Sequence, residues 1–194
     1  MHRTTLRAAL AVVALSLLTA TVAWAQSRDA RLDAGEVIID TIPVKGSDMP
    51  KLQATAYIKA SPDKLWALIS ECNNYTKTMK GLKFAKELSR KNGKIRCKTI
   101  ADLPWPLSDL TAVTEAKHDV QPGKFYRRSW KLVSGDFTAN TGSWTLTPRK
   151  EGTLAVYNIH VEPTTSMPDN VISSVQEGAL PDLFDHLRAQ VEGK

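Results

Sequence analysis

Hydrophobic and polar residues alternate along much of this chain with the period of two that is typical of half-buried β-strands. The clearest case is Lys51–Lys59, where Leu52, Ala54, Ala56 and Ile58 fall on one face of the predicted strand. Further strands are predicted at 82–89, 94–101, 108–116, 125–133, 141–147 and 153–161, separated by turn sequences such as RKNG, QPGK and PRKEG. Because the connections are short, consecutive strands are predicted to be antiparallel neighbours.

Helical periodicity is found in two regions. Ser61 is a suitable N-cap and Pro62 suits the first helical position, so a helix is predicted there, followed by a second short helix over Asn73–Lys80. The longer region begins at Pro168, and Pro181 within it predicts a kink or a break. Its apolar stripe contains Ile172, Val175, Ala179, Leu183 and Leu187.

These elements predict an α+β fold. A sheet with one apolar face needs a cover, and the C-terminal helix is the long amphipathic element that can supply it. We therefore expect a strongly curved antiparallel β-sheet wrapped around a long C-terminal helix. Such an arrangement leaves a space between sheet and helix, lined by the aromatic side chains that point inward.

The N-terminal residues are predicted to be an export signal. Arg3 and Arg7 precede an apolar run over Ala8–Ala20 that is too short to span a bilayer, and Ala23-Trp24-Ala25 forms a cleavage pattern. A periplasmic protein is expected, with full secretion and an uncleaved membrane anchor as the alternatives. The predicted organisation is a signal peptide at 1–25, an N-terminal extension with an edge strand at 26–50 and one domain at 51–194.

The two cysteines, Cys72 and Cys97, leave two alternatives open. An oxidising compartment permits a disulfide between them. Two buried thiols that never meet are equally compatible with the sequence, because geometry decides whether a disulfide forms.

Basic residues are concentrated between Lys77 and Lys98, where nine lysines and arginines accompany a single acid, Glu87. This segment could make a transient contact with an anionic membrane surface. An acidic partner and a simple solvated hairpin are the alternatives. Nucleic-acid binding is not expected, because the chain is predicted to be exported and contains no reader motif.

Catalytic and metal-binding motifs are not evident. His118, His160 and His186 lack metal-ligand spacing, and we expect no metal and no cofactor. Asp102 and Asp109 could act as paired acids, although turn capping with exposure to solvent explains them more simply. His160 alternates with Glu162 in a way that indicates a polar outer face.

The sequence DLPWPLSDLT at Asp102–Thr111 places two prolines around Trp105 in a region that otherwise predicts β-structure. Proline removes a hydrogen-bond donor from a strand, so strands rarely contain it. We interpret the segment as a corner at which one long strand bends around the curved sheet.

Four sequence features together resemble the START lipid-transfer family. They are LPWPLSD, GSWTLTP at Gly142–Pro148, YNIHVEPTTSMPDNVISS at Tyr157–Ser174 and a terminal amphipathic helix ending LFDHLRAQ. The resemblance covers about Lys51–Gln190. It is closest to bacterial members of the START-like (SRPBCC-like) superfamily, which also contains polyketide cyclases and coenzyme Q-binding proteins.

The resemblance implies a helix-grip fold with a deep hydrophobic cavity that holds one apolar ligand. The family often has an arginine directly after the PLSD aspartate, where this chain has Leu110. A headgroup role for that arginine therefore cannot be carried over, which favours a less polar ligand.

The leading hypothesis is an exported, monomeric binding or transfer protein for a hydrophobic small molecule or lipid, such as a sterol, hopanoid or quinone. The alternative is a polyketide cyclase or aromatase-like enzyme on the same fold. We expect binding rather than catalysis and assign no catalytic residue. The predicted cavity residues are Trp105, Leu107, Trp130, Trp144, Tyr157, Ile159, Ile172, Val175 and Ala179.

Overall fold

The computed structural model describes residues 28–103, 107–166 and 178–192. The chain divides into two units, Met1–Glu36 and Val37–Lys194. In the first unit, helix α1 spans residues 28–33, and Arg31 forms an ion pair with Glu36. All of the elements described below belong to the second unit.

One antiparallel sheet of eight strands dominates the described part of the second unit. The strands lie in the order β1-β2-β8-β7-β6-β5-β4-β3, so the chain forms a continuous meander from β3 to β8, and β8 then pairs with β2. The strands are β1 Val37–Ile42, β2 Lys51–Ile58, β3 Leu82–Lys91, β4 Lys94–Ala101, β5 Leu110–Gln121, β6 Phe125–Gly135, β7 Phe137–Arg149 and β8 Gly152–Pro163. This arrangement confirms the antiparallel fold predicted from the sequence.

Two α-helices and a 3₁₀ turn connect β2 to β3, and a further α-helix ends the described chain. Helix α2, Pro62–Ile69, is capped by the Ser61 hydroxyl, which accepts a hydrogen bond from the Lys64 amide at 3.5 Å. A 3₁₀ turn at Cys72–Asn74 leads into α3, Tyr75–Thr78. The terminal helix α4 is Leu180–Glu192.

The predicted break at Pro181 falls at the start of α4. Residues 178–179 form a π-helical turn, and Pro181 occupies the second position of the α-helix, where its missing amide hydrogen is tolerated. The preceding part of the predicted helix, including Ile172 and Val175, lies outside the described residues.

The main core forms where α2 and α4 cover the apolar face of the sheet. Leu180, Leu183, Phe184 and Leu187 are the buried residues of α4, as expected from their helical spacing. The ring of Phe184 lies 5.5 Å from that of Trp144 on β7. Each such side chain contributes about 1.5–3 kcal/mol when fully buried, so the buried residues of α4 together stabilise its packing on the sheet.

The interpretation of the DLPWPLSDLT segment as a corner within one strand is wrong. β4 ends at Ala101 and β5 begins at Leu110, and these two residues are paired across an antiparallel ladder. The chain therefore reverses direction between Ala101 and Leu110 and does not continue as one bent strand. Trp105 lies outside the described residues.

A disulfide joins Cys72, in the 3₁₀ turn, to Cys97 on β4, with a Cα–Cα distance of 6.0 Å. Both residues are fully buried, and the ring of Tyr75 belongs to the same small cluster. The structure therefore decides between the two alternatives that the sequence left open.

We expect that replacing both cysteines, Cys72→Ala with Cys97→Ala, lowers the free energy of unfolding by about 3–4 kcal/mol, because the crosslink restricts the unfolded chain. Urea denaturation of the oxidised wild-type protein and the double variant measures this difference. Equal stability of the two proteins would show that the crosslink does not contribute to the fold.

Candidate functional site

A cavity of about 230 Å³ lies between the sheet and the helices and is partly open to solvent. Residues of β3 to β8 form its floor and sides, and α3, the residues after it and the start of α4 border it on the other side. Its rim includes the exposed residues Lys80 and Ala179. The space predicted between sheet and helix therefore exists in the structure.

Aromatic rings form one wall of the cavity. Trp130 stacks on Tyr157 with ring centroids 5.9 Å apart, and Tyr157 lies 4.4 Å from Trp144. The Trp130 indole nitrogen donates a hydrogen bond to Asn140 Oδ1 at 3.1 Å, which holds the ring in place. This wall offers a large apolar surface with few polar atoms.

Gly142 permits the position of the Trp130 ring. A Cβ atom at this residue would lie 2.3 Å from Trp130 Cζ2 and 2.4 Å from the Asn158 carbonyl oxygen. Since real side chains do not approach so closely, only glycine allows the indole to lie across β7 here.

Polar groups gather at another part of the wall, around Arg128. This side chain is only 2% exposed, and its Nη1 donates to the Ser70 carbonyl oxygen at 3.1 Å. The same Nη1 lies 2.7 Å from His118 Nε2. The guanidinium carbon is 5.5 Å from the centroid of the Tyr75 ring, and the Tyr75 hydroxyl donates to the Ile69 carbonyl at 3.0 Å.

His118 is the neutral acceptor in this group. Partial burial, followed by the positive charge of Arg128, lowers the pKa of His118 from 6.5 to about 4. The imidazole is therefore uncharged at neutral pH, and its Nε2 accepts the hydrogen bond from Arg128. The Trp66 ring contacts His118 edge-on, with centroids 4.8 Å apart.

Two tyrosines of the cavity remain protonated at neutral pH. Burial raises the pKa of Tyr75 to about 12, against the opposing effect of Arg128. Burial also raises the pKa of the Tyr157 phenol. Nearby, the indole nitrogen of Trp144 is buried and has no hydrogen-bond partner among the described residues.

The predicted cavity residues fall into three groups according to their positions in the structure. Leu107 is partly buried and is not among the residues that line the cavity. Trp105, Ile172 and Val175 lie outside the described residues. Five others line the cavity, although their role in binding stays a prediction: Trp130, Trp144, Tyr157, Ile159 and Ala179.

Sequence reasoning missed the polar part of the wall. Arg128 lies two residues from Tyr126 and from Trp130, so strict alternation along β6 places all three on the inner face. This alternation is the feature of the sequence that indicates an inward-facing Arg128. His118 could have been found in the same way, because it shares a face with the buried Thr114 and Ala116 of β5.

The residues nominated for catalysis do not line this cavity. Asp109 forms an ion pair with Lys83, and the backbone amide of the exposed Asp102 donates a hydrogen bond to the Gly81 carbonyl oxygen. His160 lies 3.5 Å from the Pro50 carbonyl, and Glu162 accepts a hydrogen bond from Ser47. Within residues 28–103, 107–166 and 178–192, no cluster of three His, Cys, Asp or Glu side chains could hold a metal ion.

Ion pairs reduce the charge of the basic segment between Lys77 and Lys98. Arg90 binds Glu71 and Glu87, and both Lys94 and Arg96 pair with Glu115. Lys80 and Lys83 pair with Asp182 and Asp109. The free positive charge of this surface is therefore smaller than the sequence suggests.

The chain matches a known protein family over most of its length. The family described as "Polyketide cyclase / dehydrase and lipid transport" matches residues 58–188. A search of curated proteins finds no match. No helix in the described ranges is both long and apolar enough to cross a membrane.

Solved structures with the same fold come from bacteria and from humans. The STAR-related lipid transfer protein from Xanthomonas axonopodis is 20% identical, with a TM-score of 0.66 over 79% of this chain and 98% of that one. Human StAR-related lipid transfer protein 5 is 12% identical, with a TM-score of 0.70 over 92% and 96%. The Zhui aromatase/cyclase from a Streptomyces species is 15% identical, with a TM-score of 0.56 over 74% and 94%. At these identities the similarity shows the helix-grip fold alone.

Replacing Gly142→Ala should destabilise the protein by about 1–3 kcal/mol, because the new methyl group must displace Trp130 or a backbone carbonyl. Gly178→Ala is the matched control, since a Cβ there meets no atom within 4 Å. Urea denaturation should show a loss for the first variant only, and equal stability of both would contradict the packing described for Trp130.

The depressed pKa of His118 predicts a pH-dependent stability. The unfolded chain takes up this proton near pH 6.5 and the folded protein only near pH 4, so the contribution is complete above 6.5 and is lost as the pH falls toward 4. His118→Gln should therefore lose less stability than the wild-type protein between pH 7 and pH 5. The carboxylates contribute similarly to both proteins.

His186→Gln is the control for this measurement, because His186 lies on the exposed part of α4 and bonds the Lys77 carbonyl. Chemical denaturation at the two pH values gives the comparison. A His118→Gln protein with the same pH dependence as the wild type would contradict the partly buried, neutral imidazole.

Proposed function

The chain belongs to the polyketide cyclase/dehydrase and lipid transport family, and we propose that it binds and carries one hydrophobic small molecule or lipid in its internal cavity. The observation that carries the proposal is the space of about 230 Å³ behind a wall of aromatic rings. Burial of an apolar ligand there would be favourable by about 25 cal/mol for each Å² of apolar surface removed from water.

The volume of the cavity indicates which ligands have room to bind in it. An engineered apolar cavity of about 150 Å³ is large enough to bind benzene. The cavity here is about half as large again, yet it is smaller than the roughly 300–1,000 Å³ of typical small-molecule pockets. This volume has room for a single ring system or one acyl segment.

Binding is proposed ahead of catalysis because of the residues that face the cavity. A cyclase-like enzyme needs an acid or base in contact with its substrate. Asp102, Asp109 and His160 are not among the residues that line the space. The titratable tyrosines that do line it, Tyr75 and Tyr157, are held in their protonated forms by burial.

Export to the periplasm, with residues 1–25 as a signal peptide, is part of the same proposal. Its support is the pattern of basic, apolar and small residues at the N-terminus. The disulfide between Cys72 and Cys97 gives further support, since such bonds persist in oxidising compartments.

A transient contact with an anionic membrane surface through Lys77–Lys98 is proposed as the route of ligand exchange. Phe84 and Leu88 are exposed on the edge strand β3, on either side of the exposed Lys86 in sequence. A surface that combines apolar and basic side chains is suited to the boundary between lipid headgroups and acyl chains.

The binding proposal is tested with N-phenyl-1-naphthylamine, an uncharged apolar fluorescent probe. The wild-type protein should bind about one equivalent. Thr99→Trp should weaken binding at least about tenfold, because Thr99 lines the cavity and the larger ring would occupy it.

Lys98→Trp is the matched control, since it adds the same ring to the opposite face of β4. It should bind the probe like the wild type. Failure of the wild-type protein to bind the probe stoichiometrically, or equal binding by both tryptophan variants, would overturn the proposal.

A further inference from the structure

The cavity contains a buried charge that the proposed function does not explain. Arg128 is the one charged side chain that is buried among the residues the structure describes, and it lines the cavity. Moving a charge out of water is unfavourable by several kcal/mol unless it is paired. The partners of Arg128 therefore indicate what the cavity is built to hold.

The protein partners of Arg128 are all uncharged. They are the Ser70 carbonyl oxygen, the Nε2 atom of His118 and the ring face of Tyr75. None of them neutralises the positive charge of the guanidinium.

The nearby carboxylates are already engaged elsewhere. Glu71 and Glu87 lie near enough to influence the charges of this group, but both bind Arg90, at 2.8 and 2.6 Å. No described carboxylate forms a salt bridge with Arg128.

The hydrogen bonds of Arg128 leave one edge of its guanidinium unused. Both protein hydrogen bonds are made by Nη1. Nε and Nη2 make no hydrogen bond of normal geometry with the described residues, and the Tyr75 hydroxyl is a further uncharged polar group close to the guanidinium. These two nitrogens carry parallel N–H groups along one edge, which is the arrangement that binds both oxygens of a carboxylate.

We propose that the Nε–Nη2 edge of Arg128 binds the carboxylate of the ligand, so that the cavity selects apolar molecules with a single carboxylic acid group. This inference rests on the proposed function, because it identifies the chemical class of the ligand bound in the same cavity. The aromatic wall contacts the apolar body, and Ser70 and His118 hold the guanidinium by its other nitrogen.

The position of Arg128 changes the expectation drawn from Leu110. The absence of an arginine after the PLSD aspartate favoured a less polar ligand. Leu110 is indeed buried at the start of β5, but β6 supplies a positive charge to the cavity from another strand. The ligand is therefore expected to have an anionic end.

Octanoate and 1-octanol separate this inference from the proposed function, because they share the same eight-carbon chain and differ in charge. Displacement of N-phenyl-1-naphthylamine at pH 7.5, with protein expressed from the full sequence, measures the affinity of both. The wild-type protein should bind octanoate about ten- to a hundredfold more tightly than octanol, as expected for charge-assisted hydrogen bonds.

Arg128→Gln should abolish this preference, so that octanoate and octanol bind with similar affinity. Arg127→Gln is the matched control, because it removes the same charge from the exposed neighbouring position on the outer face of β6. It should keep the preference for octanoate. Arg128→Lys retains the charge without the paired donors, and should keep only part of the preference.

The results of this experiment distinguish the role of Arg128 from the proposed function. Octanol binding without a preference for octanoate in the wild-type protein would overturn the role of Arg128 and leave the proposed function standing. A preference that persists in a folded Arg128→Gln protein would also overturn it. Binding of neither compound would overturn the proposed function and this inference together.

Discussion

Burial of the apolar face of the sheet beneath α4 is the interaction on which the rest of the structure depends. The sheet can curve only if something fills its concave side, and the buried stripe of α4 fills one part of it. Another part of the sheet borders the cavity together with the start of α4. Stability and the binding space are thus two consequences of the same packing.

The cavity combines an apolar and a polar environment, as ligand pockets commonly do. One wall consists of stacked aromatic rings, and Gly142 leaves the space that Trp130 needs. Another part holds Arg128 among uncharged acceptors, where His118 stays neutral because burial and the neighbouring charge oppose its protonation. An amphipathic molecule satisfies both environments, whereas a purely apolar one satisfies only the first.

Sequence patterns predicted the fold better than they predicted the cavity. The strands of the meander and the capped helix after Ser61 follow from short-range periodicity and from turn chemistry. For the cavity, five aromatic and aliphatic residues were identified from the faces they share. Arg128 was not identified. An arginine in a strand usually points to solvent, so the alternation that places Arg128 on the inner face of β6 was not extended to a charged residue.

Consecutive residues alone determined the periods of the strands and the cap of α2, because each depends on spacing within one segment, and the order of four such segments along the chain carried the resemblance to a START-like family. Only the tertiary structure decided that Cys72 meets Cys97, that the proline-rich segment joins two antiparallel strands, and that Glu115 pairs with basic residues of β4. These outcomes depend on which strands become neighbours. Strand neighbours are chosen by the packing of the whole sheet, which no single segment of the sequence contains.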